Sequence, residues 1–189
     1  MELRTVDELM DLLRACRGVR GTPDHGGALG PDLHEHALQT AALLRRGHPS
    51  DKELQVAGLV HGIGRALRPG DDVGHAGRAA DAVRRLLGER VSQIVRLHIA
   101  AKRYLAATEP GHWLSAQHRL TLSRQGGPMP ERERAAFARA PFAEEALILR
   151  QADDAARTTG MDAGVLEDWH QVIELVAARQ PARPLRAYG

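Results

Sequence analysis

The stretch Val91-Ser92-Gln93-Ile94-Val95-Arg96-Leu97-His98-Ile99-Ala100-Ala101-Lys102-Arg103-Tyr104-Leu105 decides how the rest of the chain reads. Ile94, Val95, Leu97 and Ile99 run through it at helical rather than alternating spacing. His98 sits among these apolar residues, and Lys102, four positions on, shares its helix face. Working upstream, Thr5 with Glu8 makes a capping box before Leu9, Leu12 and Leu13. Glycines between Gly18 and Gly30 break the pattern into a loop closed by Pro31. Asp32 with Glu35 is expected to open a second helix, and Ser50 with Glu53 a third that runs to Pro69-Gly70. A fourth is expected from near Asp72 to Gly88. Downstream, Gly126-Gly127-Pro128 marks a loop, Pro130 suits the first turn of a short helix, and Pro141 precedes another. A last helix carries Leu166, Val172, Ile173 and Val176 and stops before Pro181. Runs of alternating β-branched residues and internal repeats are absent. The expected architecture is all-α, one domain over residues 1–180 with a C-terminal tail at 181–189.

Composition narrows the partners. The 189 residues include 26 Lys plus Arg against 24 Asp plus Glu, a formal charge of +2. That balance gives no argument for nucleic acid, and 3% aromatic residues argue against base-stacking platforms. Cys16 is the only cysteine, which excludes an internal disulfide and a CxxC metal site. It reads as a small core residue. No apolar run approaches the roughly 18 residues of a membrane span. The expected setting is cytoplasmic, with no membrane and no nucleic acid.

Ten histidines is a high count. His36, His61, His75 and His98 fall on successive apolar helices, and Asp153 on a later one. A lone core histidine is ordinarily satisfied by a hydrogen bond to a neighbour. Four on consecutive helices point instead to metal coordination, which satisfies several buried imidazoles at once. Cations lie one turn from these candidates: Arg65 after His61, Lys102 after His98, and Arg150 before Asp153. They suit a small anionic substrate held beside a metal. Taken singly, Arg65 and Arg150 read as ordinary solvated arginines. His34 points nearly opposite to His36. His25, His48, His112, His118 and His170 read as surface residues. Neither a P-loop nor a GxSxG motif occurs.

Several segments resemble, in order, the HD-domain superfamily, and within it the PhnZ-type HD-domain diiron oxygenases of phosphonate breakdown. They are Glu35-His36-Ala37-Leu38-Gln39-Thr40-Ala41, Gly58-Leu59-Val60-His61-Gly62-Ile63-Gly64, the stretch from Val95 to Leu105, Gln125-Gly126-Gly127-Pro128-Met129, and Leu149-Arg150-Gln151-Ala152-Asp153-Asp154-Ala155-Ala156. The resemblance spans roughly Leu33 to Val176. It implies an HD-type helical bundle in which His36, His61 and Asp153 bind one iron and His75 and His98 the other. Asp154 is the fallback for Asp153. The resemblance further implies that Lys102 holds a phosphonate or other anionic group, assisted by Arg150, Ser123 and Gln125. In that family an iron pair uses O2 to take a hydrogen from the carbon bearing the phosphonate, and C–P cleavage follows.

The sequence departs from the family pattern at three places. Gly62 stands where the family has an Asp that bridges both metals. Arg65 stands where it has a second His, and can recognise a carboxylate or phosphate. The loop before His36, from Gly21 to Pro31, contains no Tyr and no Glu. Loss of the bridging carboxylate implies weaker metal binding, more so at His75/His98. It leaves His36, His61 and Asp153, the two-His-one-carboxylate set of mononuclear non-haem Fe(II) oxygenases. Three functions follow from these features. The first is a divergent iron oxygenase with one or two irons, acting with O2 on a small anionic, phosphonate-like or carboxylate substrate. The second is a non-catalytic ligand-binding or interaction module of the same fold. The third is a metal-dependent phosphohydrolase, against which Gly62 counts.

Overall fold

A computed structural model describes residues 1–20, 31–109, 116–156 and 161–180. The described residues form α-helices joined by short turns, with one 3-10 turn and no strand. Helix α1 spans Val6–Ala15 and starts with the expected capping box, Thr5 accepting from the Glu8 N–H while Glu8 reaches back. Helix α2, Leu33–Gly47, is capped by Asp32, whose carboxylate accepts from the Glu35 N–H. Helix α3, Lys52–Val60, is capped by Asp51 and not by Ser50, one residue later than expected. Nor does it run on to Pro69-Gly70. It stops at His61, and after Gly62 a short α4, Ile63–Leu67, leaves at a new angle. Gly58, Gly62 and Gly64 crowd this junction, and after proline glycine is the residue that least favours helix continuation.

Helix α5, His75–Thr108, is the longest, and begins at His75 rather than near Asp72. It bends at Gly88, where φ is 87° and a side chain would run into Gln180. The two halves are thus the expected fourth and fifth helices, folded back side by side at this glycine: Ser92 Oγ donates to the Ala80 carbonyl at 3.0 Å, and His98 comes to lie against His75. Helix α6, Ala116–Arg124, has no forecast in the sequence; its first residues follow a stretch outside the described part. Helices α7, Glu131–Ala138, and α8, Ala143–Ala155, follow Pro130 and Pro141 as expected. The last expected helix is divided into a 3-10 turn, Leu166–Trp169, and α9, His170–Ala178. The expected tail, and most of the Gly21 to Pro31 loop, lie outside the described residues.

Helix α5 packs on α3, α4 and α8, and α2 packs on α3 and α8. Their shared core holds Leu44, Leu54, Leu59, Leu87, Ile94 and Leu149, all essentially fully buried. Arg90 on α5 ties this layer together, donating to both carboxylate oxygens of Asp51 at 2.7 Å and lying 3.4 Å from Glu53 and Glu145. Trp169 closes the base of the bundle under Arg45, whose guanidinium lies 3.8 Å from the ring centroid. A smaller apolar cluster, Ala101, Met129, Phe137, Ala143 and Ala146, joins the far half of α5 to α7 and α8. No helix among the described residues is long and apolar enough to cross a membrane.

Candidate metal centre

The bundle brings four imidazoles into one buried chain. Ring centroids are 5.3 Å apart for His36 and His61, 5.4 Å for His61 and His98, and 5.2 Å for His98 and His75. They come from α2, the α3–α4 junction, and the two halves of α5. Each ring is fixed in the same way. The Nδ1 of His61, His75 and His98 lies 2.7, 2.9 and 2.6 Å from the carbonyls of Gly58, Asp72 and Val95, each three residues upstream. The Nδ1 of His36 lies 2.7 Å from the Ala156 carbonyl at the end of α8. A carbonyl can only accept, so each Nδ1 donates, and the neutral ring turns its Nε2 lone pair inward. This is the tautomer in which histidine ligates through Nε2.

What those lone pairs face is diagnostic. Nε2 of His61 is fully buried and has no hydrogen-bond partner among the described residues; Asp153 Oδ1 lies 3.7 Å away. Nε2 of His36 lies 2.9 Å from the same oxygen. Nε2 of His75 and Nε2 of His98 are 3.2 Å apart. Acceptors facing acceptors in a dry site repel unless a cation or proton stands between them. Donor atoms of His36, His61 and Asp153 all lie within 4.8 Å of one another, enough for one metal ion. Nitrogen plus a carboxylate oxygen suits a first-row transition metal such as iron.

Asp153, rather than Asp154, faces the rings. Its Oδ2 accepts from Arg150 Nη1 at 2.6 Å, leaving Oδ1 to the histidines. Arg150 also pairs with Asp154 through Nε at 2.8 Å and through Nη2. Arg150 is therefore a buried orienting cation, not the solvated arginine its sequence context suggests. Burial alone would raise the Asp153 carboxyl, but the Arg150 charge and the contacts of His36 and His61 outweigh it and hold it well below the usual range. Burial pushes His75 down to about 3, helped by the neighbouring charge of Arg65. Burial and the other rings hold His98 well below its ordinary value. Both rings are thus neutral and ready to ligate.

Lys102, one turn beyond His98, is also buried. Its Nζ donates to Thr121 Oγ1 at 2.6 Å and to Gln125 Oε1 at 2.9 Å. Gln125 Nε2 in turn donates to the Asp72 carbonyl at 3.0 Å, the carbonyl that also holds His75. The cation and the ring chain thus share one hydrogen-bonded support. The Met129 N–H donates to the Arg103 carbonyl at 2.9 Å and Arg103 Nε donates to the Gly127 carbonyl at 3.0 Å, pinning the Gln125 to Met129 segment against α5. The structure does not bring Ser123 to this group: it is exposed, and Thr121 meets Lys102 instead. Gln125, just past the end of α6, donates its N–H to the Thr121 carbonyl and so lies on the same face as Thr121, whereas Ser123 lies across from them. Recognising that helix would have found Thr121. Arg65 is half-buried beside His75.

Of the other histidines, His34 is buried away from the cluster, with Nδ1 2.8 Å from the Leu13 carbonyl and Nε2 accepting from Arg17. His48 and His170 are half-buried at helix ends. His25 and His112, and the side chain of His118, lie outside the described residues.

No family model matches the chain. Two curated proteins are similar over most of it. The hydroxymethylphosphonate dioxygenase of Gimesia maris is 31% identical over 151 residues, covering 74% of this chain and 75% of that protein. The 1-hydroxy-2-(trimethylamino)ethylphosphonate dioxygenase (glycine-betaine-forming) of Leisingera caerulea is 31% identical over 149 residues, covering 73% and 74%. With that identity over three quarters of each relative, and a buried His/Asp centre in the same chain, the protein belongs to the family of these phosphonate dioxygenases.

Proposed function

We propose that this protein is an iron-dependent oxygenase that uses O2 on a small phosphonate-like or carboxylate substrate. The observation that carries the reading is the set of Nε2 lone pairs converging on Asp153 in a dry site. His36, His61 and Asp153 are assigned to one iron, and His75 with His98 to a second, more weakly held. Both relatives are named for phosphonates with a hydroxyl group, which supports this substrate class. The whole of residues 1–180 is taken as one catalytic domain.

Iron held there would supply the one-electron chemistry with O2 that side chains lack. The chain's own residues do the rest. Backbone carbonyls fix each imidazole before any ligand arrives, which lowers the reorganisation needed to bind. Arg150 keeps Asp153 ionised and splits its two oxygens between a cation on one side and the guanidinium on the other. Lys102 holds the anionic end of the substrate, with Thr121 and Gln125 aiming its ammonium. Arg65 adds a fixed positive charge near the His75 end.

Gly62 favours a second reading, a binding module that keeps the pocket without the chemistry. The experiment that separates the two is metal content per chain by plasma mass spectrometry after anaerobic purification, with O2 uptake and phosphate release on hydroxymethylphosphonate. Stoichiometric iron with substrate-dependent O2 uptake supports the oxygenase. A folded, iron-free protein that still binds phosphonate supports the module.

A further inference from the structure

The carbonyl that aims His75 differs from those that aim His61 and His98. Gly58 lies inside α3 and Val95 inside α5, where helical backbone fixes the carbonyl. Asp72 lies in the turn ahead of α5. Its carbonyl accepts from His75 Nδ1 at 2.9 Å and from Gln125 Nε2 at 3.0 Å. Gln125 Oε1 in turn accepts from Lys102 Nζ at 2.9 Å. The amide fits only this way round. An ammonium only donates and a carbonyl only accepts, so a flipped amide would set donor against donor and acceptor against acceptor. Arg124, the residue before Gln125, donates to the Asp72 carboxylate at 3.1 Å. The end of α6 therefore grips both the backbone and the side chain of Asp72. Lys102, Gln125 and His75 are all buried.

Hydrogen bonds in series polarise one another, and a dry site strengthens the effect. The Lys102 charge draws electron density toward the amide oxygen and makes Nε2–H of Gln125 the stronger donor. Gln125 and His75 share one carbonyl, so density that Gln125 takes from it is withheld from His75. An imidazole whose Nδ1–H donates less strongly has a less basic Nε2, and is the poorer ligand.

We propose that Gln125 is a positioning residue that couples Lys102 to His75. An anion on the Lys102 ammonium weakens its pull on the amide, returns the Asp72 carbonyl to His75 and makes the His75 Nε2 the better metal ligand. The coupling rests on the proposed function, which puts the anion at Lys102 and metal at His75. Because coupling between sites is reciprocal, metal at the His75 end also tightens the anion at Lys102.

The test is a double-mutant cycle of Lys102→Met and Gln125→Met, since Met keeps the length of either side chain without its polar atoms. Proton magnetic resonance of the isotope-labelled full chain, treated with chelator, reads the Nδ1 protons of the rings. Lys102→Met should move the His75 signal downfield, the direction of a stronger hydrogen bond. Gln125→Met should move it the same way, and Lys102→Met should then add almost nothing. The His61 signal, held by Gly58, should stay still throughout. A through-space effect of the Lys102 charge is equal in both backgrounds, so only the link through Gln125 makes the shifts non-additive. Gln125→Ala repeats the cycle with the side chain removed rather than replaced. In anaerobic chelator competition, methylphosphonate should tighten the second equivalent of iron(II) by about fivefold or more in the wild type, and by less in Gln125→Met. Additive ring shifts, or a His61 signal that moves as far as that of His75, overturn the coupling whether or not iron binds. Non-additive shifts in a chain that binds no iron and ignores methylphosphonate leave the link between Lys102 and His75 standing and overturn the proposed function.

Discussion

The Nε2 atoms of His75 and His98 lie 3.2 Å apart, each on a ring whose Nδ1 is committed to a backbone carbonyl. Two lone pairs at that distance are a repulsive contact that a shared cation would relieve. The His36, His61 and Asp153 group has the same character with a carboxylate added. The two halves should therefore differ in strength. His61→Ala and Asp153→Ala should abolish iron binding, and His98→Ala should lower occupancy at the His75 end while leaving iron with His36, His61 and Asp153. Metal content of the purified variants checks this; full iron in Asp153→Ala would contradict it.

In the proposed anion pocket Lys102 supplies the charge. Lys102→Ala should weaken phosphonate or phosphate binding by about 1.5–3 kcal/mol, roughly ten- to a hundredfold, the range for a hydrogen bond to a charged group. Thr121→Val should weaken it less, because the ammonium stays but is less well aimed. Calorimetric titration with methylphosphonate resolves the order. Equal affinity in wild type and Lys102→Ala would remove Lys102 from the pocket.

Gly64 permits the approach that seats His75. Gly64→Ala drives a methyl into the His75 carbonyl and should cost about 1–3 kcal/mol, as overpacking does. Urea unfolding reads that loss. The same variant should bind less metal at the His75 end, an effect that a general loss of stability would not confine to that end.

Arg90 holds Asp51 below the ordinary carboxylate value, chiefly through its hydrogen bonds and against burial. A carboxyl lowered by folding contributes stability that is present above 3.8 and is lost as pH falls through its folded value. Arg90→Met should cost on the order of 1 kcal/mol at neutral pH, since half-exposed pairs are screened by solvent. It should also flatten the acid limb of the stability curve. An unchanged acid limb would show that Asp51 does not report this pair.

Burial, with the charge of Asp32, pushes the Cys16 thiol up to about 11. Thiolate is the reactive form, so a disulfide reagent at pH 8 should leave the native protein unlabelled and label it in urea. Because the folded value exceeds the ordinary 9.0, this contribution to stability is complete below pH 9 and lost as pH climbs through 11. Labelling at equal rates in both states would place Cys16 at the surface.

The helices that open with local signals are legible in the sequence. Thr5 with Glu8 and Asp32 with Glu35 need only neighbouring residues, and the structure keeps both starts. The choice between Ser50 and Asp51 is less local, because Asp51 also serves Arg90 from another helix. Helix α6 is missed because its sequence carries no apolar stripe; tertiary contacts through Thr121 and Gln125 hold it. His36, His61, His75, His98 and Asp153 can be named from the sequence because polar residues on apolar helices are conspicuous. What Arg150 does is not legible. A cation three residues from a carboxylate looks like a surface pair until the fold buries it. Thr121 is likewise hidden behind the unrecognised helix.

The anchors that set the rings differ in their reach along the chain. Three imidazoles take their orientation from a carbonyl three residues upstream, so local backbone geometry alone aims them. His36 takes its orientation from Ala156, 120 residues away, at the same end of α8 that supplies Asp153. Detachment of the C-terminal turn of α8 would therefore leave three rings aimed, while releasing the fourth together with the only carboxylate among the assigned ligands. Such a partly opened state keeps most of the nitrogens but none of the negative charge. Metal retention during unfolding should thus follow hydrogen exchange at the end of α8 rather than loss of total helix, making the ion a reporter of one local event.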